Sequence, residues 1–219
     1  LANMLMTQGK FEQAKRHCVA LIGNTSLLTA STCVLDVQSQ QGKLSESYHA
    51  LVKLTQNKNS SLATKHVLSE MAFRLNKFTR AQQHINNIDL NTAPVSLIVL
   101  WADIQLQQNN PERVLNTLGK LANSHSSLED AILLKLAIAE KRSNKHTNTV
   151  WQPLMQQRVK LREQRQDTFH ANDLANYYIH VQANQAKAQY WANINWQQAK
   201  MSTDKHLLSQ ADTMVRDSL

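Results

Sequence analysis

A repeat constrains this chain more than any other feature of its sequence. Residues 8–21 (QGKFEQAKRHCVAL) align with 41–54 (QGKLSESYHALVKL), then with 75–88 (LNKFTRAQQHINNI) and 108–121 (QNNPERVLNTLGKL). Turn residues fall at Gly9, Gly42, Asn76 and Asn109, in steps of 33, 34 and 33, and the apolar positions Leu21, Leu54, Ile88 and Leu121 keep the same steps. Four registers that agree within one residue define a period. A period of this length belongs to stacked helical units, each too small to bury its apolar stripe alone.

Each unit reads as two antiparallel helices. A stretch with a small or apolar residue about seven places upstream precedes the turn, as at Trp101–Ala102 before Asn109. After the turn a second helix carries an i, i+4, i+7 stripe. Gly9 and Gly42 can take positive φ and end a helix, and Asn is the next-best residue there. In "NNPER", Asn110 predicts an N-cap and Pro111 a first helical residue. Only 4 Gly and 3 Pro occur among 219 residues, too few for the many tight turns of a sandwich or barrel. With 42% apolar residues wholesale disorder is excluded, and no apolar run approaches the roughly 20 residues of a membrane span.

Beyond residue 124 the pattern is helical but less regular. Periodicity predicts helices over 128–142, ending at Ser143–Asn144, and over 149–166, with Trp151, Leu154, Met155, Val159 and Leu161 as anchors and Pro153 in the first turn. A further pair is expected over 169–183 and 186–200, turning at Asn184, then a final helix from Ser202 carrying Leu207, Leu208, Ala211, Met214 and Val215. The chain opens in mid-pattern (Leu1, Ala2, Leu5) and reads as a piece of a longer protein, so its compartment stays open between an exported, periplasmic home in a bacterium and the cytoplasm.

This pattern resembles the tetratricopeptide repeat. The features that carry the resemblance are the period, Ala2, Gly9, Phe11 and Ala14 in the first unit, and Ala81 and Ala102 in later ones. Leu35, where a small residue is expected, and Pro111, where an aromatic is expected, depart from it. Residues 188–211 are also similar to the C-terminal end of helical-repeat proteins encoded by many bacteria. The resemblance implies an all-α, right-handed α-α superhelix of about six antiparallel helix pairs plus a terminal helix. It implies one domain over 1–219, with regular repeats over 1–124 and divergent pairs over 125–219.

The net charge of +8, from 24 Lys and Arg against 16 acids, favours acidic partners in a general way. The charges are scattered, however. Arg158, Lys160, Arg162 and Arg165 come nearest to a cluster, and Glu163 and Asp167 dilute it, so a solvated face is the plainer reading beside an acidic docking surface.

No reaction chemistry is legible. Cys18 and Cys33 form no CxxC pair; they lie on helices expected to pack together, so a disulfide is one reading and two small buried hydrophobes the other. The nine histidines show no HxxxH or HExxH spacing, and the few glycines build no GxGxxG, GxxxxGK[ST] or GxSxG loop. Glu129–Asp130 fits the start of a helix, where acids complement the dipole. No enzyme activity, metal or cofactor is expected. Tyr177–Tyr178, Tyr190–Trp191 and Trp196 read as core packing or as a protein-binding hot spot.

The resemblance also implies that the first helix of each pair lines a concave groove. Its groove positions fall on His66, Glu70, Phe73 and Arg74, on Asp103 and Leu106, on Lys141 and Arg142, and on His170, Asp173, Tyr177 and His180. The Lys/Asn/Arg carboxylate clamp of chaperone-cofactor repeats is missing. The expected function is a non-catalytic scaffold holding a protein or peptide partner, whose identity stays open, with self-association through an uncapped repeat end as a further route. Two alternatives stand beside it. One is a basic helical-repeat module for RNA, for which repeated base-reading residues are lacking; the other is an accessory domain of a larger enzyme.

Overall fold

A computed structural model describes residues 1–56, 59–124, 128–143 and 149–214, with the side chains of 123 and 124 excepted. The described residues form thirteen α-helices, one 3-10 turn and no strand. In chain order these are α1 (Ala2–Thr7), α2 (Phe11–Val19), α3 (Leu27–Gln40), α4 (Leu44–Thr55), α5 (Leu62–Arg74), α6 (Phe78–His84) and α7 (Val95–Gln107). Then follow α8 (Pro111–Ser124), α9 (Asp130–Arg142), α10 (Trp151–Gln164), the 3-10 turn (Thr168–His170), α11 (Ala171–His180), α12 (Gln185–Gln198) and α13 (Ser202–Thr213).

The repeat becomes structure at its turns. Gly9, Gly42, Asn76 and Asn109 all adopt positive φ, at 74°, 89°, 57° and 58°. The next amide donates back across the turn each time: Lys10 to Leu5, Lys43 to Gln38, Lys77 to Ala72 and Asn110 to Gln105. These bonds satisfy carbonyls that a helix end leaves open, and they fix where the second helix departs. Gln166 repeats the device at φ 50°, with Asp167 donating to Arg162, which is why the helix expected over 149–166 stops at Gln164. Helix starts are capped by side chains: Ser26 accepts from Thr29 N–H, Ser61 from Thr64 N–H, and Asn184 from Lys187 N–H. Asn144 and Val215 lie outside the described residues.

The helices group into two compact units among the described residues, 1–88 with 199–202, and 89–198 with 203–214. In the first unit, α1 pairs with α2, α3 with α4 and α5 with α6, while the first helices α1, α3 and α5 adjoin in series. Its core includes Ala14, Ser47 and Ala81, then Cys18, Leu51 and Ile85, each set at repeat spacing. Cys18 and Cys33 are joined in a disulfide that ties α2 to α3 with Cα atoms 5.4 Å apart. Closing a loop of this size contributes about 3 kcal/mol in the chain-entropy account. The non-helical residues 199–201 and Ser202 rest on α1 and α3, with Met201 packed against Met6, Ala14, Cys18 and Val37.

In the second unit α7, α9 and α11 adjoin in series, α8 and α10 pack on α9, and α12 on α11. Helix α9 is buried continuously from Ile132 to Glu140, so it is the centre of the unit rather than one of its faces. Glu140 is buried yet satisfied, accepting from the amides of Val150, Trp151 and Gln152 at 2.7, 3.1 and 2.8 Å. Those are open donors at the start of α10, and the next residue, Pro153, has none to offer. The closing positions Leu21, Leu54 and Ile88 are only partly covered, because each lies at or past the end of its helix; Leu121 is buried.

Candidate functional site

In the first unit the first-helix side chains gather on α3 and α5. Arg74 donates through Nη1 to Ser39 Oγ at 2.9 Å and through Nη2 to the Ser39 carbonyl at 2.8 Å, with Glu70 Oε1 at 3.7 Å. The guanidinium therefore closes the C-terminal end of α3 and is consumed as a tie between helices. Burial lowers the pKa of His66, against the pull of Glu70, which favours a neutral imidazole. Phe73 packs on Phe78 with ring centroids 5.5 Å apart.

Asp36, one repeat step before Glu70, belongs to the same group. Burial and the Glu70 carboxylate push its pKa up to about 7, against the pull of Arg74. Its Oδ1 is buried without a hydrogen-bond partner, and so is Nε2 of Gln40, one turn further along α3. Sequence reasoning missed both, although the period pointed there: Asp36, Glu70 and Asp103 each stand six residues before a left-handed turn residue.

The second unit organises its charges around Lys135 of α9, which is only 9% exposed. Its ammonium meets Asp103 Oδ1 at 2.7 Å. Burial raises the pKa of Asp173, with Lys135 and His170 opposing. His180 is pushed down to about 4 by burial and then by the positive charges of Lys135 and Arg142. Arg142 donates to the Leu106 carbonyl at 3.2 Å. Leu106 and Ser39 occupy equivalent repeat positions, so Arg142 does for α7 what Arg74 does for α3. A second chain of charges joins α9, α10 and the 3-10 turn. Asp130 accepts from Arg158 and Arg162, Arg162 also pairs with Asp167, and Asp167 pairs with His170.

Among the residues expected to line a groove, His66, Glu70, Phe73, Asp103, Asp173 and His180 are partly accessible side chains on first helices. Lys141 is exposed at the end of α9, and His170 serves the 3-10 turn. Leu106 and Tyr177 need correcting: at 5% and 2% exposure they present almost no surface to a partner. Both turn into the core because a shift of one residue rotates a side chain by about 100° around the axis. Tyr177 donates its hydroxyl to Gln182 and sits edge-on to Tyr178, and Tyr190 is exposed beside a buried Trp191.

Among the described residues no group of three or more His, Cys, Asp or Glu is placed to hold a metal ion, and no helix is long and apolar enough to cross a membrane. Compared with family models, curated proteins and solved structures, the chain matches none.

Proposed function

We propose that this chain is a non-catalytic, tetratricopeptide-like interaction scaffold that offers its first helices to a protein or peptide partner. The observation that carries this reading is the carboxylate that recurs at one repeat position on adjoining first helices of the first unit, Asp36 on α3 and Glu70 on α5. A half-buried carboxylate costs stability, and an apolar side chain would serve a purely structural layer better. A recurring acidic position within a chain of net charge +8 favours a segment rich in Lys, Arg or amide donors. The disulfide fits an oxidising compartment, the periplasm if the source is bacterial.

Selection from a random peptide library tests the reading. Basic peptides retained at moderate salt by the parent chain, and released by Glu70→Gln with Asp36→Asn, are the expected outcome. Retention of oligonucleotides alone, with a steep loss as salt rises, would replace the scaffold with the nucleic-acid alternative.

A further inference from the structure

The first unit already holds a segment that is remote in sequence. The amide of Lys200 donates to the Thr7 carbonyl at 2.8 Å. The amide and hydroxyl of Ser202 both reach Gln40 Oε1, at 3.0 and 2.8 Å. Thr7 and Gln40 are repeat equivalents, each two residues before a turn glycine. Between the two donors, Met201 drops onto Met6, Ala14, Cys18 and Val37, over the disulfide that binds α2 to α3. A Cβ placed on Gly9 would lie 3.0 Å from Cβ of Lys200, whereas one on Gly42 would meet nothing within 4 Å. At the first turn, then, glycine serves the approach of the segment as well as the backbone angle.

We propose that the C-terminal ends of α1 and α3, beside Gly9, form a binding site for a short segment of a partner protein carrying an unbranched apolar side chain between two main-chain donors, and that residues 199–202 occupy it as an internal stand-in. The seat is specific on three counts. Two acceptors stand one repeat step apart, an apolar well lies between them, and a turn without a side chain admits the backbone. The stand-in fits incompletely, because Gln40 Nε2 stays buried and unbonded while its Oε1 carries both bonds from Ser202. A partner segment that also offers an acceptor to Nε2 displaces it. The site uses neither Glu70 nor any residue of the second unit, so it stands if the acidic first-helix positions bind nothing.

The test uses a labelled peptide of residues 196–206 and the whole chain carrying Met201→Asp, which vacates the seat. The peptide binds this variant and binds the parent chain roughly tenfold more weakly or less, because the parent site is occupied. Adding Gly9→Ala to the variant abolishes binding, while adding Gly42→Ala does not. Equal affinity for variant and parent overturns the proposal, as does no binding to a variant whose helicity is intact. Should the variant not fold, hydrogen exchange of the parent decides: excess peptide speeds exchange at the Lys200 and Ser202 amides, and unchanged rates overturn the site. A concentration-dependent dimer of the parent that the peptide does not dissolve would assign the seat to exchange between copies and overturn the partner reading.

Discussion

The two units solve the same problem, charge on a layer of first helices, in opposite ways. In the first, Asp36 and Glu70 share one guanidinium that is already committed to Ser39, so a buried carboxylate oxygen is left without a partner. In the second, Lys135 pairs with Asp103 and its charge opposes the rise in the Asp173 pKa, and the His180 imidazole is driven to its neutral form. The first unit carries an acid it cannot ionise cheaply. The second carries a base surrounded by compensation. First helices that adjoin in series therefore do not dictate one pattern of charge; one cation at the centre of α9 decides it.

The contrast breaks most sharply at that cation. Lys135→Ala removes the ammonium that pairs with Asp103 and should cost about 3 kcal/mol, read by denaturant unfolding; a loss below about 1 kcal/mol would mean the pair is solvent-screened. Next in size, Cys18→Ser with Cys33→Ser should cost about 3 kcal/mol and speed amide exchange in α2 and α3 while leaving α9 unchanged.

Asp36→Asn moves the other way. Protonated Asp36 contributes stability fully below its ordinary pKa of 3.8, and this is lost as pH rises through about 7. The Asn variant should therefore gain on the parent as pH rises from about 4 to about 7, by at most about 4 kcal/mol, and hold that gain at pH 8. His180 gives the second unit the opposite slope. Its folded pKa of about 4 lies below the ordinary 6.5, so its contribution is present above 6.5 and is lost as pH falls toward 4. Exchange in α9 and α11 should quicken by about 1 to 2 kcal/mol equivalent between pH 7 and pH 5, and His180→Gln should flatten that trend. The smallest effect is at a turn. Gly42→Ala, at φ 89° in open space, should cost about 1 kcal/mol, and replacing Asn109 by Gly should cost nothing.

Helices and turns were legible because they are written locally. Four left-handed residues announced themselves as Gly or Asn at a fixed step, and Asn184 did so as a cap. The site was legible only by half. Glu70 and Asp103 were reached through the repeat, but Asp36 was one period away and unremarked, and Lys135 lay on the unbroken apolar helix that hid it. Arg74 and Arg142 look like ligands for a partner and are ligands for carbonyls, a distinction set by which helix end lies one repeat earlier. Nothing near residue 201 says that its side chain completes a core begun at Met6. That packing has no local pattern to read.

The bond between Gln40 and Ser202 spans 162 residues. On a ribosome adding about 5–20 residues per second, the first unit waits roughly ten to thirty seconds after Gln40 emerges before its last piece exists. Throughout that interval Met6, Ala14, Cys18 and Val37 lack the side chain that completes their cluster.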